Sequence, residues 1–300
     1  MKKRKVVIER TAEPDYGQLI PDQGIHRPNI LFHYCPIEAF EAIISNSSMW
    51  LSDAACMNDK SEGKWINKIT ERISKTAEAR KWLDSGHIIS DYKLRKATFF
   101  INCFSEAGDL LSQWRAYADD GRGVSIGFSF LPNFLKGNLT LSQIYTRQGL
   151  GGHLERVVYD EKEQKQILAK IFRYVDYGTR EMLNDVISLY SWDAIIDTGT
   201  DCLSYASRLM KHPGFSEERE WRIIYDGVTD LTFEGLDKKR QLRRKGNKEI
   251  NYHIWKFQPA IVSQIILGPK CEMTIKEIKR KLAKWMYQNV LIQKSKVPYR

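Results

Sequence analysis

The stretch GVSIGFSF, residues 123–130, alternates small and apolar side chains and decides the fold class. Successive side chains of a β-strand point to opposite faces, so this spacing predicts a strand with one apolar face and one face of small residues. The apolar face consists of Val124, Ile126, Phe128 and Phe130, and the small face of Gly123, Ser125, Gly127 and Ser129. A face of small residues is expected to admit a helix, a neighbouring backbone or a ligand at close range.

Further apolar segments recur at irregular intervals on both sides of this strand, with helical spacing between some of them. Predicted strands occupy residues 30–34, 49–52, 97–104, 154–159, 219–225, 252–257, 262–267 and 290–293. Because strands and helices do not alternate regularly, the pattern favours an α+β fold with a mixed, mostly antiparallel sheet. We predict an N-terminal arm (1–28) and one domain (29–300) with a helical insertion at about 160–211. The sequence contains no GxGxxG or GxxxxGK[ST] phosphate-binding motif.

The composition is that of a chain able to bury a core without disulfide bonds. It has 300 residues, 42% of them hydrophobic, and its five cysteines are scattered without a CxxC pair. This usage favours reduced thiols in a cytoplasmic protein, and the lack of an 18-residue apolar run predicts no membrane partner. The formal net charge is +10, and a predicted loop at 238–248 carries seven Lys and Arg residues. Basic loops attract polyanions, but they also occur as ordinary solvated surface.

The first candidate site residues are charged side chains in and just before the predicted strand 219–225. Glu218, Glu220 and Arg222 are spaced by two, so they are expected to share one face. A solvated edge strand shows the same pattern. In apolar surroundings, however, a carboxylate can be poised for acid or base chemistry, and Arg222 can orient it by a bidentate ion pair. Both interpretations stay open.

A second candidate is His33-Tyr34, at the end of the first predicted strand. A histidine in an apolar strand is often a core residue bonded to a backbone carbonyl. A strand end followed directly by a helix that starts at Pro36 also aims side chains into clefts. Farther along the chain, Tyr117 fits the apolar stripe of a helix, whereas Arg115 falls outside the stripe and can reach a phosphate or a carboxylate.

Other chemistries have weaker support. Asp59 and Glu62 have capping-box spacing, which accounts for them without a metal. A metal nuclease that uses them together with Glu218 has no spaced ligand set. No GxSxG, HExxH or HxE…CxxC motif indicates a serine or zinc hydrolase.

Six motifs in this order resemble a widespread bacterial family catalogued as a domain of unknown function, over roughly residues 30–270. The motifs are HYCP (33–36), WLSD (50–53), NDKSEG (58–63), CFSE (103–106), SQWRAYADDGRGVSIGF (112–128) and FSEEREWRII (215–224). That family is in turn distantly similar to the ADP-ribosyltransferases. The resemblance implies an ADP-ribosyltransferase-like core and NAD as the substrate. It also implies a role as a toxin or antiphage effector that modifies a protein or nucleic acid, with an antitoxin or other partner protein.

The resemblance assigns roles to individual residues. His33 matches the histidine that binds the ribose of NAD, Glu220 the catalytic carboxylate, and Glu218 an accessory acid. The ring that stacks on nicotinamide is Tyr34, Trp50 or Tyr117. Because NAD is an anion, Arg115, Arg122 or Arg222 is expected to hold its pyrophosphate. The residues expected to bind NAD are therefore His33, Tyr34, Trp50, Ser52, Arg115, Tyr117 and Arg222. The sequence departs from the transferase pattern in having Tyr34, rather than a small residue, after the histidine.

The alternative is a non-catalytic module that binds nucleic acid or a partner protein through the basic loop 238–248. Salt-dependent binding that is insensitive to Glu220 would distinguish it from an enzyme.

Overall fold

Ten β-strands form one sheet in the part of the chain that the computed structural model describes: residues 28–56, 65–74, 99–129, 153–183, 192–225 and 235–299. The strands are β1 Ile30–Cys35, β2 Ser48–Asp53, β3 Phe100–Ser105, β4 Val124–Ser129, β5 His153–Arg156, β6 Glu220–Tyr225, β7 Leu236–Lys245, β8 Lys248–Lys256, β9 Val262–Leu267 and β10 Leu291–Lys294. The helices are α1 Ile37–Asn46, α2 Trp65–Ser74, α3 Leu111–Tyr117, α4 Glu161–Leu183, α5 Trp192–Leu209 and α6 Ile275–Lys284.

The sheet order is β10-β9-β4-β1-β3-β2-β8-β7, and β6 pairs with both β3 and β5. Every pairing is antiparallel except that of β9 with β10. The predicted α+β fold with a mixed, mostly antiparallel sheet is therefore confirmed. No helix in the described ranges is long and apolar enough to cross a membrane.

The sheet splits along one edge of β3. On its other edge β3 pairs with β6 over its whole length, from Phe100 to Ser105. On the split edge, β1 pairs with β3 only at Ser105, and β2 pairs only at Phe100 and Ile101. In this register, residues 102–104 face neither strand. A gap therefore opens between the end of β1 and the end of β2.

The small face of β4 allows a close backbone contact. A Cβ added to Gly123 would lie 2.1 Å from the carbonyl oxygen of Cys35 on β1. A Cβ at Gly127 would meet Ile30 and Gln264 side chains at 3.0 Å. This face was expected to admit a helix, a backbone or a ligand at close range. In the structure it contacts neighbouring backbone and side chains. These contacts hold β1, and with it His33, against β4.

Two apolar clusters cover opposite faces of the sheet, because alternate residues of β3 and β6 belong to different clusters. Ile101 and Ile224 pack with the buried side chains of α2, α4 and α5, while Phe100 and Ile223 pack with those of α1 and α6. Helices α4 and α5 lie within the predicted insertion at about 160–211.

Some predictions fall on residues outside the described ranges. The division into an arm (1–28) and a domain (29–300) stays a prediction, because residues 1–27 lie outside these ranges. Asp59 and Glu62, which have capping-box spacing, lie outside them as well.

Two predictions about elements were wrong. The basic loop 238–248 is a hairpin formed by β7 and β8, which turns at Gly246 and Asn247. Its strand β7 is an edge of the sheet, where charged side chains discourage pairing with other chains. The sequence also predicts that Asp109 caps the helix that follows it; in the structure Leu110 is the N-cap of α3, and Asp109 instead accepts a hydrogen bond from Trp114 Nε1 at 2.8 Å.

Candidate active site

A cleft of about 420 Å³ opens where the sheet splits. Its walls come from α1, β1, β2, β3 and the entrance to β6, and its volume lies within the usual range of small-molecule sites. Eight of the nine residues that the sequence predicted for the site line it: His33, Tyr34, Trp50, Ser52, Tyr117, Glu218, Glu220 and Arg222. The ninth, Arg115, is exposed on α3 and does not line the cleft.

Glu220, the first residue of β6, stands at the centre of a buried ion cluster. Arg222 donates to it side-on, with Nε 2.8 Å from Oε1 and Nη2 2.9 Å from Oε2. Lys211 approaches from just beyond α5, with Nζ 3.3 Å from Glu220 Oε2 and 2.5 Å from Glu218 Oε2. Two cations and two carboxylates therefore balance within the wall of the cleft.

The balance keeps Glu220 and Lys211 charged. Burial alone would raise the pKa of Glu220, but Arg222 and Lys211 outweigh it and lower that pKa to about 2. Burial alone would lower the pKa of Lys211, but Glu220 and Glu218 outweigh it and raise that pKa. At neutral pH the cleft thus holds an ionised carboxylate fixed by two cations, which is a preorganised negative charge.

The spacing by two predicts that Glu218 lies on the same strand as Glu220 and Arg222. In the structure it does not. It ends a short 3₁₀ helix, Pro213–Glu218, and Arg219 turns the chain with a φ of 43° before β6 begins. Its carboxylate nevertheless reaches the same cluster through Lys211. The hydroxyl of Tyr117 also donates to Glu218 Oε1 at 3.3 Å. Burial and the nearby Glu218 carboxylate raise the pKa of Tyr117, so this hydroxyl stays protonated.

His33 bridges the split between β1 and β3. Its Nδ1 lies 2.9 Å from the carbonyl oxygen of Cys103. A carbonyl only accepts, so Nδ1 carries the hydrogen and Nε2 is left as an acceptor. Burial lowers the pKa of His33, although the bond to Cys103 partly opposes this shift. Both expectations for His33 apply, since it bonds to a backbone carbonyl and also lines the cleft.

The three rings expected to stack on nicotinamide, those of Tyr34, Trp50 and Tyr117, differ in how accessible they are to a ligand in the cleft. The hydroxyl of Tyr34 donates to the carbonyl oxygen of Ala107 at 2.6 Å and accepts from the Leu110 amide at 3.0 Å, so this side chain joins β1 to the chain before α3. Trp50 is 44% exposed and Tyr117 is 38% exposed. Trp50 and Tyr117 are therefore the rings best placed to stack on a ligand.

The comparisons with known proteins bear on the part of the chain that contains the ion cluster. Residues 113–223 match the family described as "Protein of unknown function (DUF2971)". The resemblance to a domain family of unknown function is thereby confirmed over this stretch. No curated protein and no solved structure matches the chain.

The DUF2971 match contains one wall of the cleft and not the other. It includes Tyr117 and the four residues of the ion cluster, whereas His33 and Trp50 precede it. The structure therefore joins to the matched segment a second wall built from β1, α1 and β2.

Sequence reasoning missed several residues of the cleft. Lys211 lies within the DUF2971 match, and its only local signal is the His-Pro-Gly break that follows it. Asn102, on β3, lines the cleft and donates from Nδ2 to the carbonyl oxygen of Trp50 at 3.0 Å. Arg243 reaches the cleft from β7, which had been interpreted as a loop.

Proposed function

We propose that this protein is an NAD-consuming enzyme similar to ADP-ribosyltransferases, acting as a toxin or antiphage effector on a protein or nucleic acid. One observation carries the proposal: His33 on one side of β3 and Glu218 and Glu220 on the other line a single cleft at a split in the sheet. The resemblance implies that a histidine and a carboxylate bind the same ribose. The position of His33, Glu218 and Glu220 in one cleft supports this assignment.

The chemistry suits an ionised carboxylate held in place. When the bond between ribose C1′ and nicotinamide N1 breaks, its electron pair leaves with nicotinamide, which becomes neutral, and positive charge develops on the ribose. A nitrogen or oxygen of the acceptor then bonds to C1′ and releases its proton to water. One preorganised group near the developing charge lowers the barrier by roughly 3–4 kcal/mol. Glu220 supplies that charge, with Glu218 as the accessory acid.

The remaining residues of the cleft bind and orient the substrate. Neutral His33 accepts a hydrogen bond from a ribose hydroxyl through Nε2, and Trp50 or Tyr117 stacks on the nicotinamide ring. Arg222 has only 1% of its surface exposed and donates to Glu220 and to the Arg208 carbonyl oxygen. We therefore assign it to positioning Glu220 rather than to holding the pyrophosphate.

Release of nicotinamide from NAD by the purified protein tests the proposal. A Glu220→Gln change alone leaves two buried cations facing a neutral amide, so the informative variant is Lys211→Met/Glu220→Gln, which removes one charge of each sign. We expect nicotinamide release to fall on the order of 100-fold or more. Glu218→Gln provides a second variant. Because the side chain of Glu218 is more exposed than that of Glu220, this change should destabilise the fold less.

The matched control is Glu163→Gln. Glu163 is as buried as Glu220 and forms an ion pair with Arg156, but it does not line the cleft. This variant should keep the parental rate. The proposal fails if the folded parent releases no nicotinamide, or if the charge-balanced variant keeps the parental rate.

A non-catalytic binding module is the second candidate, favoured by the basic β7–β8 hairpin. In this case nucleic acid or a partner protein binds the hairpin and the cleft performs no chemistry. Binding that is unaffected by the Lys211→Met/Glu220→Gln change, together with no nicotinamide release, would favour this candidate over the enzyme.

A further inference from the structure

The β7–β8 hairpin, residues 236–256, concentrates positive charge. It contains eight Lys and Arg residues and two acids, in a chain whose formal net charge is +10. Lys238, Lys239, Arg240, Arg244, Lys248 and Lys256 are exposed. Edge-strand protection explains charged side chains, lysine especially, but it applies to the edge strand β7, whereas Lys248 and Lys256 lie on β8. The predominance of one sign therefore calls for an additional cause, and a polyanionic partner supplies it.

The acids of the hairpin do little to neutralise this charge. Glu249 pairs with Arg244 across the two strands at 3.2 Å, and both side chains are largely exposed. Asp237 uses Oδ1 to accept from the backbone amide of Lys239 at 2.9 Å. Cations therefore remain in excess along the whole ribbon, from Lys239 near its base to Lys248 at its turn.

The hairpin is joined to the cleft through Arg243. Its guanidinium donates from Nη2 to Ser52 Oγ at 3.2 Å and lies 5.0 Å from the centre of the Trp50 ring. Arg243, Ser52 and Trp50 all line the cleft. Tyr252, on β8, places its ring 4.5 Å from that of Trp50. A basic ribbon thus runs into a pair of aromatic rings at the mouth of the candidate active site.

We infer that the acceptor is a single-stranded nucleic acid whose phosphates follow the hairpin and whose unpaired base lies against Trp50 at the mouth of the cleft. Cationic grooves combined with stacking rings are how proteins hold single strands without sequence preference. A duplex keeps its bases inside the stack, whereas an unpaired or flipped base can lie against Trp50 beside NAD; in this arrangement Tyr117 is the ring that stacks on nicotinamide. The transfer step of this inference rests on the proposed function; the binding surface does not.

The transfer step balances with the groups present. A nitrogen or hydroxyl oxygen of the presented nucleotide bonds to ribose C1′ and loses its proton to water, while the bond from C1′ to nicotinamide breaks and neutral nicotinamide leaves. No oxidant, reductant or metal takes part.

Fluorescence anisotropy with a labelled 16-nucleotide DNA, its RNA counterpart and the matching duplex tests the surface between 50 and 200 mM salt. Lys239→Glu/Lys248→Glu should weaken single-strand binding at least tenfold at low salt. It should also lower the slope of log affinity against log salt by about 1.4, since each phosphate contact on a single strand contributes about 0.7. The matched control is Lys276→Glu/Lys279→Glu on α6, the same charge change at two other exposed lysines. It should change affinity less than twofold.

Two further variants test the link to the cleft. Trp50→Ala removes the ring and should weaken single-strand binding several-fold while leaving duplex and heparin binding unchanged. Arg243→Gln should act in the same direction without removing the ring. Equal losses from the hairpin and α6 variants, or equal affinity for single strand, duplex and heparin with no effect of Trp50→Ala, would overturn the inference.

The two proposals fail separately. Hairpin-dependent binding of single strands without nicotinamide release contradicts the proposed function and the transfer step, and leaves the binding surface standing. Nicotinamide release by a protein whose hairpin variants bind single strands as well as the parent contradicts the inference alone.

Discussion

The interactions of Glu220 with Arg222 and Lys211 depend on one another. Its side chain is 8% exposed and that of Arg222 is 1% exposed, so neither charge has water to compensate for a lost partner. Buried ion pairs contribute little net stability compared with apolar residues of the same size, yet breaking one is costly. A cluster of this kind lining a cleft, rather than sealed in the core, is better explained by the need for a fixed charge than by stability.

Removing the Glu220 charge should therefore destabilise the fold. Glu220→Gln leaves Lys211 and Arg222 without their shared carboxylate and should lower the free energy of unfolding by roughly 3–5 kcal/mol. Lys211→Met/Glu220→Gln should lose clearly less, because one charge of each sign is removed. Urea unfolding measures both. A single variant as stable as the parent would show that the cluster is not coupled as described.

His33 should stay neutral throughout the physiological pH range, because burial lowers its pKa below the ordinary 6.5. Unfolded His33 binds a proton as the pH falls through 6.5 while the folded residue resists it, so its contribution to stability is present above that pH and lost below it. The NMR signal of its ring should not shift between pH 8 and 6.5, whereas solvent-exposed histidines begin to titrate. A midpoint near 6.5 for His33 would contradict this.

At the scale of elements, local patterns predicted the strands well. The predicted strand 262–267 has the bounds of β9, and the predicted strand 30–34 differs from β1 by one residue. These strands have short apolar patterns that a single segment of sequence contains. The pairing of β3 with β6 on one edge, and with parts of β1 and β2 on the other, joins segments far apart in the chain. No local pattern encodes such pairing, so the split and its cleft could not be predicted.

The β7–β8 hairpin was not predicted, because its many charged residues are typical of a solvent-exposed loop rather than of strands in a sheet. Strand β7 is an exposed edge, so it carries charged side chains where an apolar alternation would be expected. One signal was available: Gly246-Asn247 between two charged segments is a two-residue turn, and Gly246 has a φ of 59°. As a consequence, Arg243 is predicted only as part of the basic loop 238–248, although it lines the cleft.

The close contact between β4 and β1 makes Gly123 a sensitive position. Gly123→Ala places a methyl group against the Cys35 carbonyl oxygen, where the ideal distance is 2.1 Å, and should cost about 3 kcal/mol of unfolding free energy. Gly246→Ala is the control: its methyl group meets nothing within 4 Å, and only its positive φ opposes it, by roughly 1–2 kcal/mol. Thermal and urea unfolding should rank the two variants in this order, and the reverse order would refute the contact.

At the scale of the molecule, the candidate site depends on the sheet as a whole. Its residues extend along the chain from Phe32 to Ile250, and they meet only because β3 stands between β1 and β6. Residue chemistry could therefore be predicted from short motifs, whereas the shared cleft of His33 and Glu220 was implied by the resemblance alone and by no local pattern. The same dependence means that loss of the fold removes the site, so every activity measurement needs a stability measurement beside it.

The ion cluster should also make the free energy of unfolding of the whole molecule depend on pH in the acidic range. The pKa of Glu220 is about 2 in the folded protein against 4.5 ordinarily, so the unfolded chain binds the proton first as the pH falls. Its contribution to stability is full above pH 4.5 and is lost as the pH falls towards 2. A tenfold difference in proton affinity between the folded and unfolded chain corresponds to about 1.4 kcal/mol, which sets an upper limit of about 3 kcal/mol for this residue. Urea unfolding at pH 6, 4.5, 3.5 and 2.5 should show the parent losing stability over this window and Lys211→Met/Glu220→Gln losing correspondingly less. Parallel curves for the two proteins would mean that Glu220 titrates as an ordinary carboxylate and that Arg222 and Lys211 do not stabilise its charge.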